Sequence, residues 1–390
     1  MYNKLVLLLA FFISTLVFSQ DTNFIPLLTI NPAETNFSDL KKLDVYLKDK
    51  TIIGVGEATH GTSEFTTMRH RFFKYLVTTH GFNTFILEAD YGGCMRINNY
   101  IHGADDVVTQ ALNEVRLYPW LTQEMVALIN WMKAYNEEHP EHQLNFVGAD
   151  MQMADVNIKQ LYRLIPDGGL KAELQPYTEG FRIVYEKQAE IVPIVKEIQK
   201  AYTGNEIQIL AKATLQNLEV DFRNGKARKM VVYRDECMAN NILFYKQLYP
   251  ETKAMFFAHN THVSYENDGS KGSAGYHLKK ALGDAYYTVG MEFHTGTFQA
   301  VKITGKDKGQ IGVCTIPDSK HNYLGKYLAA YGDLLFVLQN QLPDEINKMH
   351  AIGASVNERL DNIRGETKWF DAFIFVKNST ATSYHTPKSK

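Results

Sequence analysis

With 390 residues, 45% of them hydrophobic, the chain is longer than one compact core usually grows, so one large domain with an insertion, or two to three subdomains, is expected. A net charge of −2, with acids and bases mixed along the chain, leaves no basic face and excludes nucleic acid as a partner class. Three scattered cysteines, Cys94, Cys237 and Cys314, exclude a disulfide framework or a zinc ribbon and read as small buried hydrophobes with at most one bridge.

Lys4 is followed by an apolar run from Leu5 to Phe18 and by Ser19. This is the pattern of a cleaved export signal over residues 1–19, because a run of roughly 14 residues falls short of the roughly 20 that span a bilayer. The mature chain is expected to begin near Gln20 and to be periplasmic or secreted, with no stable membrane insertion.

Residues 21–50 read as a lead-in with a short helix over 38–43. A β-prone run at 51–53 then enters G-V-G-E-A-T-H-G-T-S-E at 54–64. Gly54, Gly56 and Gly61 permit sharp angles and close approach, while Glu57 and His60 sit where packing does not require them. A helix over 63–79 follows, with Phe65, Met68, Phe72, Phe73 and Leu76 as its apolar stripe and Arg69 close enough to its start to look back at the turn. Residues 84–87 read as a buried strand ending at Glu88-Ala89-Asp90. After a turn at Gly92-Gly93 and a Tyr118-Pro119-Trp120 loop, a helix over 123–138 leads to a strand at 144–148 that ends at Asp150. Alternating strand and helix predict an α/β fold with a mainly parallel sheet flanked by helices.

Helical stretches over 180–202, 206–223 and 226–248 have no strand between them. Residues 155–249 are therefore predicted to be a helical insertion covering the active edge of the sheet and forming one wall of a cleft. Strands return at 253–258, before His259-Asn260-Thr261-His262, and at 286–293, 297–303 and 370–376. The α/β core is then 20–154 with 250–378, and 379–390 is a polar, disordered tail.

Four predicted strands end in chemically capable residues: Glu57 with His60, Glu88, Asp150, and His259 with His262. In a parallel sheet these ends share the edge where open α/β folds bind ligands. Burying several ionisable groups together has a desolvation cost that a packing role does not offset, which marks the set as functional. Carboxylates beside an imidazole make a general base near neutral pH, so His60 is placed to take a proton from water. No serine occupies a G-x-S-x-G elbow and no cysteine adjoins these tips, which favours direct attack by water over an acyl-enzyme.

The run G-V-G-E-A-T-H-G-T-S-E-F, Arg69-His70-Arg71-Phe72, Glu88, Y-R-D-E-C-M-A-N-N around Arg234, and A-H-N-T-H at 258–262 together resemble the erythromycin esterase family, over about residues 51–298. The resemblance implies a hydrolase that opens the ester of a macrocyclic lactone with water, without covalent intermediate, cofactor or metal. It implies His60 as general base, Glu57 and Glu88 as supporting carboxylates beside Arg69, and His259 and His262 polarising the carbonyl or holding the leaving alcohol. Tyr118, Trp120, Arg234 and Asp150 are the expected substrate contacts.

Two rival readings use the same residues. Glu57, His60, Glu88, His259 and His262 are all acceptable zinc or manganese ligands, as in a metal-dependent hydrolase of another ester or of an envelope component. In an extracytoplasmic haem- or polyketide-binding protein, His259 or His262 would be an axial ligand or a stacking group, with Tyr118, Trp120, Phe222 and Tyr233 as pocket walls.

Overall fold

The computed structural model describes residues 23–384 apart from 105–106, 220–226, 268–271, 317–318, 320 and 358–362. The predicted export signal, Phe222 and residues 385–390 lie outside the described residues. The strands are β1 (Ile25–Pro26), β2 (Ile52–Val55), β3 (Thr84–Asp90), β4 (Asn145–Asp150), β5 (Ala254–Phe257), β6 (Tyr286–Lys302), β7 (Ile311–Ile316), β8 (Leu334–Leu338), β9 (Lys348–His350), β10 (Ser355–Val356), β11 (Ile363–Glu366) and β12 (Ala372–Ser379). The main sheet has the order β1-β8-β12-β6-β2-β5-β3-β4. From β12 to β4 every neighbouring pair is parallel, whereas β8 is antiparallel to β12, β1 to β8, and β7 to the second half of β6. This is the expected α/β fold.

The central strands are buried on both faces, and their side chains divide with the two-residue period of a pleated strand. Ile53, Val55, Phe85, Leu87, Met255 and Phe257 join one apolar cluster with residues of the helices Ser63–His80, Tyr91–Ile101 and Gln123–Glu138. Ile52, Ile86, Ala254 and Phe256 join the other, with residues of Ala154–Leu164, Gln188–Ala201, Asn205–Leu218 and Ala227–Leu248. The helices of the predicted insertion therefore pack on one face of the sheet, and Asn217 and Arg234 reach from them to its carboxyl edge at Met151 O and Asp150.

Local readings change in four places. The predicted strands 286–293 and 297–303 are one strand, β6, because β12 pairs with its first part and β7 with its second. Gly92-Gly93 is not a turn but the first turn of helix Tyr91–Ile101, where a Cβ on Gly92 would sit 2.7 Å from Asn157 and one on Gly93 3.0 Å from Val115. Helix 180–202 is two helices, Phe181–Glu186 and Gln188–Ala201. The start of the polar tail is not loose: Thr382 N–H donates to Gly61 O at 2.9 Å, Ser63 N–H to Thr380 O at 2.9 Å, and Gln123 N–H to Ser383 O at 2.8 Å. Those backbone bonds clamp two helix starts behind the site. Cys94, Cys237 and Cys314 are free and buried. Among the described residues no helix is long and apolar enough to cross a membrane.

Candidate active site

The carboxyl ends of β2, β3, β4 and β5 open on a cavity of about 570 Å³. Its lining includes His60, Glu88, Tyr118, Trp120, Arg234, His259 and His262, which brings together seven of the predicted site residues from across the chain. The other three, Glu57, Arg69 and Asp150, lie buried directly behind them.

The turn after β2 is shaped by close approach. A Cβ on Gly56 would lie 2.2 Å from Asn260 Oδ1 and one on Gly61 1.9 Å from Gln299 O, yet neither glycine has a positive φ. The expected sharp angles are absent, and packing alone demands glycine. This tight turn seats Glu57 so that Oε1 accepts from His60 Nδ1 at 2.6 Å while Oε2 accepts from Arg69 Nη2. Arg69 comes back from the second turn of helix Ser63–His80, as its spacing suggested, and its guanidinium lies 3.4 Å from the Phe257 ring centroid. The aromatic face explains why Arg69 Nε and Nη1 have no hydrogen-bond partner. Burial pulls Arg69 down to about 10 against the opposing pull of Glu57, which leaves it a cation at neutral pH. The Nδ1 edge of His60 is thus tied, Trp120 meets its ring edge-on at 5.0 Å, and Nε2 has no partner among the described residues.

Across the cavity, Glu88 at the end of β3 accepts from Arg234 Nη2 at 2.7 Å and from the His259 amide at 2.9 Å, with His262 Nε2 at 3.2 Å. Burial pushes the Glu88 carboxyl up, but the charges of His262 and Arg234 outweigh it and hold it well below the usual carboxylate range. Arg234 also donates from Nε and Nη2 to Asp150, at 3.0 and 2.6 Å. Burial opposes the guanidinium charge, but Asp150 and Glu88 outweigh it and hold Arg234 well above its ordinary range. Asp150, expected as a substrate contact, is fully buried beneath Arg234 and cannot touch a ligand. Asp90, paired with it across β3 and β4, is pushed up to about 8 by burial and by Asp150.

The two late histidines divide sharply. His262 Nδ1 donates to Asp235 at 2.7 Å, and although burial pulls its pKa down, Asp235 and Glu88 outweigh it and raise it to about 10. His262 is therefore an imidazolium at neutral pH. His259 donates from Nε2 to Ala58 O at 3.2 Å and receives the Thr261 amide on Nδ1 at 3.3 Å. Burial, then the neighbouring His60 and His262, pull it down to about 3, so it is a neutral ring with both nitrogens engaged.

Among the described residues the predicted insertion supplies Arg234 alone to the cavity lining, while Leu117–Trp120 and Ala351–Ala354 form walls. Tyr118 hydroxyl donates to Ala354 O, and Trp120 Nε1 to Glu88 O at 3.0 Å. Sequence reading places Asp235 and Thr261 inside the motifs but gives neither a role, and it misses the Ala351–Ala354 wall. Asp235 was detectable as the neighbour of Arg234, whereas nothing in A-I-G-A marks a wall.

The donor set does not fit the rival ligands. Both oxygens of Glu57 and both of Glu88 are occupied, and so are both nitrogens of His259 and His262. Among the described residues no group of three or more His, Cys, Asp or Glu side chains is arranged to hold a metal ion. The same occupancy leaves no nitrogen of His259 or His262 for a haem iron, and the Tyr233 hydroxyl is turned to Gln216 O at 3.3 Å.

The class of protein is an α/β fold with a mainly parallel sheet, a cavity at the carboxyl ends of its strands and a carboxylate-tied imidazole facing that cavity. The chain belongs to the erythromycin esterase family, whose family model, Erythromycin esterase, matches residues 77–379. Erythromycin esterase type II of Escherichia coli is 23% identical over 317 residues, 68% of this chain and 74% of that protein. A solved succinoglycan biosynthesis protein superposes with a TM-score of 0.77 at 23% identity, covering 92% of this chain and 95% of that one. An erythromycin esterase mutant in its open conformation superposes with a TM-score of 0.66 at 18% identity, covering 90% and 96%. At such identities the structural likeness establishes the fold. The family match begins at Val77, downstream of the start expected near residue 51, so Glu57 and His60 join the site through geometry.

Proposed function

We propose that this chain is a carboxylic ester hydrolase that opens a macrocyclic lactone with water activated by His60. The supporting observation is the asymmetry of the cavity: an imidazole with a free Nε2 on one side, and a fixed cation pair, Arg234 and His262, on the other. His60 Nε2 takes a proton from water, and the oxygen bonds to the ester carbonyl carbon. The negative charge that develops on the carbonyl oxygen is met by Arg234 and His262, preorganised by Glu88, Asp150 and Asp235. The carbon–alkoxy bond then breaks, and the proton on His60 passes to the departing alkoxide. In a lactone both products stay in one molecule, a hydroxy acid heavier by one water. Glu57 orients His60 and stabilises the imidazolium formed in between. Tyr118 and Trp120 shape the wall beside the reacting carbonyl.

Family membership supports the macrolide as substrate. The test is incubation with a panel of macrolides followed by mass spectrometry: a gain of one water by wild type, and none by His60→Ala, is the expected result. No hydration of any macrolide removes the substrate assignment. Export is proposed on the pattern of residues 1–19; N-terminal sequencing of protein recovered outside the cytoplasm should begin near Gln20, and an intact Met1 there would refute cleavage.

A further inference from the structure

We propose that Glu292 and His350, a sealed pair outside the cavity, are positioning residues that set the place of His60 through the Ala351–Ala354 wall; the role given to His60 is the one proposed above. Glu292 lies in the interior of β6, fully buried, opposite Phe375 of β12. An apolar residue is the ordinary occupant of such a position, and a carboxylate there carries a large desolvation cost unless strongly bonded. Two of its three bonds go to His350. Oε2 accepts the His350 amide at 2.7 Å, and Oε1 accepts His350 Nδ1 at 2.7 Å and the Phe293 amide at 2.8 Å. The His350 ring is stacked on Phe293, with centroids 4.9 Å apart and planes at 6°, and meets Tyr323 edge-on at 4.7 Å. Both the backbone and the ring of His350 are thereby immobilised.

His350 is the last residue of β9, and the next four residues are the cavity wall. Ile352 and Gly353 amides both donate to Ala58 O, at 2.8 and 3.2 Å. Gly353 O in return accepts the His60 amide at 3.3 Å and the Thr59 hydroxyl at 3.2 Å. The same Ala58 carbonyl receives His259 Nε2. Gly353 takes this turn at φ 72°, a conformation side chains rarely adopt, and a Cβ on it would lie 3.9 Å from His259 Nε2. One buried carboxylate thus holds the root of a loop whose far end is bonded to Ala58, Thr59 and the His60 amide, the segment that leads into His60. A shift of about 1 Å in a reacting group costs on the order of a hundredfold in rate, so the anchor acts on catalysis without touching substrate.

The test compares wild type with Glu292→Ala, Glu292→Gln and Asp39→Asn. The last breaks the buried Arg71–Asp39 pair away from the cavity and serves as a control for lost stability. Two readouts are followed: steady-state ester hydrolysis, and the NMR signal of the His60 Cε1–H, identified by its absence in His60→Gln. Glu292→Ala should lower kcat by on the order of tenfold to a hundredfold with KM within about threefold, and displace the His60 signal. Glu292→Gln keeps an acceptor for the His350 amide and a donor for its ring but loses the acceptor for the Phe293 amide, and should recover part of the rate and move the signal back toward its wild-type position. Asp39→Asn should leave both unchanged. Should Glu292→Ala fail to fold, His350→Gln replaces it with the same expectations. A folded Glu292→Ala with wild-type kcat and His60 signal overturns the proposal, as do equal losses in Asp39→Asn. If wild type hydrolyses no ester, the functional reading fails and the His60 signal decides the positioning role.

Discussion

His60 and His262 line the same cavity, each with Nδ1 on a carboxylate, at 2.6 Å from Glu57 and 2.7 Å from Asp235. They differ in what meets the other nitrogen. Nε2 of His60 faces the cavity unpartnered, and its carboxylate is shared with the Arg69 cation. Nε2 of His262 is 3.2 Å from a second carboxylate, Glu88, and 3.1 Å from Arg234 Nη1; burial pulls the ring down, but Asp235 and then Glu88 outweigh it and raise it to about 10. Two imidazoles, each tied at Nδ1 to a carboxylate, thus stand in different surroundings at Nε2, and that difference is the basis of the separate roles proposed for them, base and cation.

The sharpest break of this comparison is His60→Ala. It should lower kcat by on the order of 10²–10⁴ in steady-state assays of the hydrolysed lactone while far-UV circular dichroism stays native; a wild-type rate removes His60 as base. Next is Arg234→Ala, which leaves Asp150 and Glu88 buried without their guanidinium. Urea denaturation should show a loss of about 3–5 kcal/mol, the scale for a buried pair stripped of one partner. A loss below about 1 kcal/mol would mean that water replaces the guanidinium.

His262→Gln tests the fixed cation through pH. Because the folded pKa of His262 is raised to about 10, its stabilisation is fully present below its unfolded value of about 6.5 and is lost as pH rises toward 10. Wild type should lose stability across that window, and His262→Gln should lose less; parallel urea midpoints from about pH 6 to 9.5 would contradict the imidazolium. Glu88 has the opposite sign, contributing above its unfolded value and losing its contribution only as pH falls through its depressed folded value. The smallest effect belongs to His259→Asn. A neutral, doubly bonded ring should cost less than about tenfold in kcat and leave the pH–rate profile unchanged between about pH 5 and 9; a vanished inflection would make His259 a titrating participant.

Much of this site was legible because its residues break the pattern of their surroundings. Glu57, Glu88 and Asp150 each follow an apolar run that can only be a buried strand, and a carboxylate there requires a partner. The helix Gln123–Glu138 was readable to its ends, since Thr122 caps it and its apolar positions keep helical spacing. β7 was not, because it is a short strand at the margin of the sheet with Ile311 and Val313 exposed, whereas β8, Leu334–Leu338, is an apolar run that does carry a strand signal. Gly92-Gly93 misled for a physical reason: glycine marks a turn and a close helix contact equally well, and only the approach of Asn157 and Val115 distinguishes them. Residues 380–384 read as a tail because their anchors are distant in sequence: backbone bonds to Gly61, Ser63 and Gln123, and side-chain bonds to Glu64, Thr297 and Glu124, which local composition does not encode.

The chain's own order of residues was enough for the α/β alternation, the parallel sheet and the list of acids, arginines and histidines at its carboxyl edge, since those follow from local periodicity and from the cost of burying charge. Roles within the list came from packing. Glu88 and His262 are 174 positions apart in the sequence yet 3.2 Å apart in space, and that contact distinguishes the surroundings of His262 from those of His60. A pKa depends on the charges and solvent within a few ångströms, and for these residues almost all of those charges arrive from other strands and helices.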